Sequence, residues 1–237
     1  MRTPVTVLLI VASVLVAAGC GSSSRPASTR GTSTGGGAPS AAGGSGSSGG
    51  PAHCASVSAP APKKAQHLAA PTLRLDPQRT YTAKLQTSCG ELDIALDAKR
   101  APKTAASFVY LARRGFFDGL TFHRIVRGFV VQGGDPQGNG QGGPGYSVVE
   151  PPAPGTRYTR GVVAMAKTQT EPAGASGSQF YVVTGPDAGL PPEYAVLGRV
   201  VRGDAVLTAM DEVPTGGPSN DTPTAPVVIE KVTIVEG

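Results

Sequence analysis

The chain has no acidic residue before Asp76, only three cysteines, no tryptophan and no apolar run of membrane-spanning length. The missing acids change the meaning of the formal charge of +5. Arg2, Arg25, Arg30, Lys63, Lys64 and Arg74 all precede Asp76, so 15 of the 21 basic residues remain to face 16 acidic ones. The basic excess belongs to the leading segment and is poor support for a nucleic-acid-binding surface. The cysteine spacing does not resemble a zinc site. No Gly-Lys-Ser/Thr occurs. Gly138, Gly140 and Gly143 satisfy G-x-G-x-x-G, but Pro144 and a proline-rich stretch follow where a nucleotide loop needs a helix. Gly177-Ser178-Gln179 lacks the glycine that closes a nucleophile elbow. No internal repeat is visible. Neither a metal nor a cofactor is expected.

What is present begins with an export signal. Met1-Arg2 is followed by an apolar run from Val5 to Ala18 and by small residues before Cys20. A bilayer span needs about 20 apolar residues, and this run falls short. Ala17-Ala18-Gly19-Cys20 looks like a bacterial lipobox, in which the cysteine is diacylated (palmitate-type chains) and becomes the mature amino terminus. The alternative is an ordinary secretory signal with an incidental cysteine. Residues 1–20 are therefore expected to be a lipoprotein signal peptide.

From Gly21 to Pro62 the chain is almost wholly Gly, Ser, Ala, Thr and Pro. Such a composition buries too little apolar surface to offset its ordering entropy. Residues 21–75 are expected to form a disordered tether with a reach of roughly 30 Å. The domain behind it would be lipid-anchored on the extracytoplasmic face of the cell membrane. With Cys20 lipidated, Cys54 and Cys89 remain, and oxidising conditions outside the cell predict a disulfide between them. Two unpaired thiols are the alternative. The cross-link would contribute roughly 3–4 kcal/mol on loop-entropy grounds.

Residues 76–237 suit one domain with a full core. Thr82–Thr87 and Glu91–Leu96 alternate about a Ser88-Cys89-Gly90 turn and predict a hairpin. A helix is expected to begin at Pro102, run through Thr104–Arg114 and stop at Gly115. Short strands are expected over Thr121–Ile125, Phe129–Gln132, Val162–Ala166, Phe180–Thr184 and Val196–Val201. Asp204–Asp211 predicts a second helix, and Val227–Val235 a closing strand against the first hairpin. Many short strands with two helices predict a mainly β fold, a closed antiparallel barrel with helices at its ends.

The most telling stretch runs Phe122-His123-Arg124-Ile125-Val126-Arg127-Gly128-Phe129-Val130-Val131-Gln132-Gly133-Gly134-Asp135. A break at Arg127-Gly128 lets two short strands pair and brings Arg124 near Phe129 and Gln132. A guanidinium over an apolar floor is costly unless the site uses it. This run resembles the central signature of the cyclophilins, peptidyl-prolyl cis-trans isomerases with the pattern F-H-R-x-[IV]-x-x-F-x-x-Q-G-G-D. The resemblance extends from about Tyr81 to Val235. It takes in Gly138 to Tyr146, Gly161 to Ala166, Gly177 to Tyr181 and Tyr194 to Val200.

The resemblance implies an eight-stranded barrel capped by two helices, proline-containing polypeptides as substrates, and no cofactor. It implies catalysis by Arg124, Gln132 and Phe129, with Gln132 orienting Arg124 and holding substrate backbone. Phe129, Val130, Tyr181 and Leu190 are expected to form an apolar proline pocket with Tyr194 at its rim. Ala166, Lys167, Thr168 and Gln179 are expected to line the peptide groove. His123 is expected to be structural and hydrogen-bonded within the barrel, since the reaction transfers no proton. Val130, Tyr181 and Tyr194 stand where the family commonly has Met, Phe and His, and Gly189-Leu190 where many members have Trp. The altered rim implies that proline turnover is kept and leaves cyclosporin sensitivity open.

Together these readings predict a monomeric isomerase acting on exported proteins as they fold. The rival readings are a proline-peptide-binding or chaperone module with little turnover, and a solute-binding lipoprotein, for which the domain is short.

Overall fold

Residues 53–237 are described by a computed structural model. The expected signal peptide, Cys20 and the first part of the expected tether lie outside the described residues. The strands are Tyr81–Thr87 (β1), Gly90–Leu96 (β2), Leu120–Thr121 (β3), Arg124–Val126 (β4), Val130–Gly133 (β5), Val148–Val149 (β6), Val162–Met165 (β7), Ala175–Ser176 (β8), Phe180–Val183 (β9), Val196–Arg202 (β10), Thr215–Gly216 (β11), Thr222–Pro223 (β12) and Val228–Glu236 (β13). The helices are Pro102–Arg113 (α1) and Asp204–Asp211 (α2).

Alternation of apolar and polar residues explains β1 and β2: Ala83, Leu85, Leu92 and Ile94 are wholly buried while Gln86 is exposed. Thr87 pairs with Gly90, leaving Ser88-Cys89 as a two-residue turn closed by a glycine at φ +120°. Pro102 opens α1, where its missing N–H is no loss. No side chain of its own caps the helix. The Glu150 carboxylate does so from a distant loop, accepting the N–H groups of Lys103 at 3.1 Å and Thr104 at 2.8 Å. Phe108, Val109, Leu111 and Ala112 turn inward from α1, and Val206, Leu207 and Met210 from α2. Each large side chain buried in this way contributes about 1.5–3 kcal/mol.

Nine strands share one antiparallel sheet in the order β3-β13-β1-β2-β10-β7-β9-β5-β4. This corrects the expected closed, eight-stranded barrel: the sheet is a curled, open half-barrel. Its two edges, β3 and β4, are neighbours in sequence, and the expected continuous strand over Thr121–Ile125 is broken at Phe122-His123. The backbone N–H groups here turn to other partners. Phe122 donates to Val227 O and Ile125 to Asp221 O, each at 2.8 Å. Groups spent on the 221–227 segment cannot also close a ladder.

The two sides of the sheet bury different clusters. Ile125, Val131, Val163, Met165, Phe180 and Val182 join the main core with Phe108, Phe117 and Phe122. Val130, Ala164, Tyr181 and Val183 point the other way into a second, smaller apolar cluster. Strands β7 and β9 therefore read as unbroken apolar runs, because both of their faces are covered.

Residues 53–75, which composition assigned to the tether, form neither helix nor strand but lie along the domain. Cys54 is disulfide-bonded to Cys89, and Ala55 N donates to Ser88 O at 2.7 Å. Further along, Lys63 N donates to Pro136 O and Leu68 N to Pro144 O, both at 2.8 Å. Leu68, Leu73 and Leu75 pack on the main core. No helix among the described residues is long and apolar enough to cross a membrane.

Candidate active site

A row of directly opposed residues crosses the sheet on the side of the smaller cluster. Arg124 faces Gln132, Gln132 faces Tyr181, Tyr181 faces Ala164, and Ala164 faces Val196. Opposed side chains on one face lie close enough to touch. A three-residue turn, Arg127–Phe129, joins β4 to β5, and Phe129 N bonds back to Val126 O at 3.0 Å. The turn is clamped from outside, since Gly128 N donates to the Asp211 carboxylate at 3.0 and 3.1 Å. Gly128 has φ +68°, a conformation that favours glycine.

Polar groups in the row form one chain. Arg124 Nε donates to Asp221 Oδ2 at 2.9 Å, and Nη1 reaches Gln132 Oε1 at 3.5 Å. Gln132 Nε2 donates to Gln179 Oε1 at 3.0 Å. Gln179 Nε2 donates in turn to the carbonyls of Gly140 at 3.0 Å and Gly142 at 2.9 Å. The guanidinium is thus fixed on two sides while its side chain keeps 37% of its exposure, enough to meet a ligand.

Beside this chain lies a groove of about 540 Å³ whose lining includes Gln132, Ala166, Lys167, Thr168 and Gln179 and the loop 140–147. Phe129, Val130, Tyr181, Leu190, Tyr194 and Ala166 meet instead in the smaller apolar cluster. The expected site residues therefore fall into two adjoining sets, with Ala166 in both and Gln132 opposite Tyr181 at the seam.

Three residues with roles here carry no local sequence signal. Asp221 belongs to the loop before β12. Tyr158 is wholly buried; its hydroxyl donates to Tyr194 O at 2.7 Å and accepts Tyr194 N–H at 3.0 Å. Glu193 pairs with Lys167 Nζ at 3.2 Å. That pairing alters the reading of Lys167, whose side chain is only 4% exposed. Its ammonium also bonds the carbonyls of Thr168 and Glu171 and sits 5.4 Å over the Tyr194 ring. The amine braces the groove wall.

Of the titratable groups that depart from their ordinary behaviour, two stand in or directly beside the row. Burial pushes the Tyr181 phenol far up, with the nearby Tyr158 and Tyr194 adding to the effect, so it stays neutral. Burial likewise lowers the His123 pKa; Arg124 lowers it further, while Asp135 and Asp221 oppose. His123 also corrects an expectation. Both ring nitrogens are buried and lack a hydrogen-bond partner among the described residues, while Asp135 accepts the backbone N–H groups of Gln137, Asn139 and Gly140.

Residues 82–234 match the family model described as cyclophilin type peptidyl-prolyl cis-trans isomerase/CLD. Peptidyl-prolyl cis-trans isomerase A of Mycobacterium tuberculosis is 38% identical over 176 residues, covering 67% of this chain and 94% of the relative. Peptidyl-prolyl cis-trans isomerase-like 1 of Gibberella zeae is 38% identical over 161 residues, covering 66% and 96%. Among solved structures, a Cryptosporidium parvum cyclophilin type peptidyl-prolyl cis-trans isomerase determined in the presence of the dipeptide Ala-Pro is similar. It has a TM-score of 0.60 and 28% identity, and covers 65% of this chain and 98% of its own.

Proposed function

The chain belongs to the cyclophilin-type peptidyl-prolyl cis-trans isomerases, and from that premise we propose that Arg124 is its catalytic donor and exported polypeptides are its substrates. The X–Pro bond resists rotation because partial double-bond character must be lost, a barrier of about 18–20 kcal/mol. Twisting the bond leaves a lone pair on the imide nitrogen, and a donor fixed beside it favours the twisted state over both planar ones. An acceleration of about 10⁵ requires roughly 7 kcal/mol of that preference.

The observation that carries this reading is the clamp on Arg124 beside the Val130–Tyr181 cluster. A cation held by Asp221 and Gln132 needs no reorganisation at the moment of rotation. Phe129, Val130, Tyr181, Leu190 and Tyr194 take the proline ring. Gln132, Gln179 and the backbone of Ala166, Lys167 and Thr168 hold the flanking peptide, which confines rotation to the imide bond. The rim substitutions leave this cradle able to accept proline.

The test is a proline-peptide isomerisation assay. Arg124→Ala is expected to cost about a hundredfold or more in kcat/KM, the scale of losing one preorganised donor. Equal rates for wild type and variant would defeat the assignment.

The protein acts, in this proposal, as a monomer at the extracytoplasmic face of the cell membrane. Residues 1–20 direct export, Cys20 carries the lipid, and the segment between Cys20 and the strap pinned at Cys54 spaces the isomerase domain from the bilayer. The lipobox pattern supports the anchor, and the Cys54–Cys89 disulfide suits an oxidising compartment. Cys20→Ser is expected to release the protein from membranes; unchanged partitioning would refute the anchor.

A further inference from the structure

We propose that Asp221 is a positioning residue for the isomerase reaction, setting the direction in which the Arg124 guanidinium meets the imide bond. The inference rests on Arg124 being the donor and adds what aims it. Asp221 bonds the strand that carries Arg124 in two ways. Its carbonyl accepts the N–H of Ile125 at 2.8 Å, and its Oδ2 accepts Nε of Arg124 at 2.9 Å. The first contact fixes where the aspartate stands and the second fixes the guanidinium plane. With Nε held by Asp221 and Nη1 turned to Gln132, Nη2 has no hydrogen-bond partner among the described residues.

Local structure explains why this loop can aim a side chain. Strands β11 and β12 pair Thr215 with Pro223 and Gly216 with Thr222, making a short hairpin over the end of β4. Asn220 occupies the left-handed region at φ 52°, which asparagine tolerates better than most residues, and Thr215 Oγ1 bonds its carbonyl at 2.8 Å. Asp221 follows directly and is turned back toward β4. Both partners of the ion pair are partly exposed, so its net contribution to stability is small. Its effect falls on geometry, because a planar fork bonded along one edge loses most of its rotational freedom.

The experiment compares wild type, Asp221→Asn and Asp221→Ala, each full length, in a proline-peptide isomerisation assay with thermal unfolding as a fold control. Both variants keep the backbone bond to Ile125. Asp221→Ala is expected to lower kcat about tenfold with little change in KM, on the scale of one charge-assisted hydrogen bond. Asp221→Asn, which retains an acceptor oxygen, should recover part of that loss. The Arg124 Nε–H resonance, assigned by its disappearance in Arg124→Lys, should shift and broaden in Asp221→Ala and do so less in Asp221→Asn. Wild-type turnover with an unchanged kcat in a folded Asp221→Ala overturns the inference. So does an unmoved Nε–H signal, a readout that holds even without turnover. Absence of turnover in wild type itself would count against the isomerase reading instead, which separates the two failures.

Discussion

Gln132 and Gln179 are joined side chain to side chain, the amide of one donating to the carbonyl of the other at 3.0 Å. The bond fixes both amides: Gln132 must turn its oxygen to Arg124, and Gln179 must turn its nitrogen to the carbonyls of Gly140 and Gly142. The groove loop and the arginine therefore share one polar chain. Gln179→Ala leaves two loop carbonyls without their donor, so the groove wall loosens more than the reacting end. KM for a proline peptide is expected to rise about tenfold, the cost of a lost hydrogen-bonded partner, with a smaller change in kcat. Steady-state kinetics check this, and an unchanged KM would show that the loop stands without Gln179.

Tyr158→Phe removes only the hydroxyl that both donates to and accepts from the backbone of Tyr194. The ring stays and fills the same volume, but two main-chain groups in a partly buried place lose their partner. The expected loss is about 1–3 kcal/mol of stability, read by urea unfolding. Turnover should fall as well, since Tyr194 closes one side of the proline cluster. A variant as stable as wild type would mean that water takes over both bonds.

How legible the site was depended on sequence distance. Arg124 and Gln132 stand on one hairpin, so alternation and a short turn sufficed to bring them together. Asp221 reaches Arg124 across 97 residues of chain, and Tyr158 reaches Tyr194 across 36. Neither is marked by a pattern, because a loop aspartate and a tyrosine among prolines look the same whether or not something distant needs them. The first helix was legible from Pro102 at its start and Gly115 at its end, and the first hairpin from alternation about its turn. Barrel closure was not: whether the Phe122-His123 backbone pairs with a strand or with residues 221–227 is decided by competition between distant partners. The docked strap was masked by composition. Its low apolar content argued for disorder, yet Leu68, Leu73 and Leu75, spaced along an otherwise small and polar stretch, are the residues that hold it.

That strap gives a third prediction. The disulfide joins Cys54 to Cys89 over a separation of 35 residues, while Lys63 and Leu68 bond the ends of the glycine-rich loop at Pro136 and Pro144. Gly145 lies so close that a Cβ there would sit 2.7 Å from Gln66 O, so strap and loop are in van der Waals contact. Replacing both cysteines with serine is expected to cost roughly 3–4 kcal/mol in unfolding free energy. Limited proteolysis should then cut within residues 55–68 well before the rest of the domain. Equal protection of that segment in both proteins would show that the backbone bonds and leucines hold it unaided.

His123 sets a pH dependence whose sign follows from its surroundings. Burial lowers its pKa below the ordinary 6.5; Arg124 reinforces this, and Asp135 and Asp221 only partly offset it. Above 6.5 the ring is neutral whether the chain is folded or not, and it contributes nothing. As pH falls through that value the unfolded chain takes up a proton that the folded chain refuses, so stability drops until the lowered folded pKa is reached. Neither ring nitrogen has a partner among the described residues, so His123→Phe removes the titration without breaking a bond. Urea midpoints at about pH 7.5 and about pH 5.5 should therefore differ more for wild type than for His123→Phe. If the two proteins lose the same stability over that interval, the folded state admits the proton, and the ring is exposed to water or to an anion there.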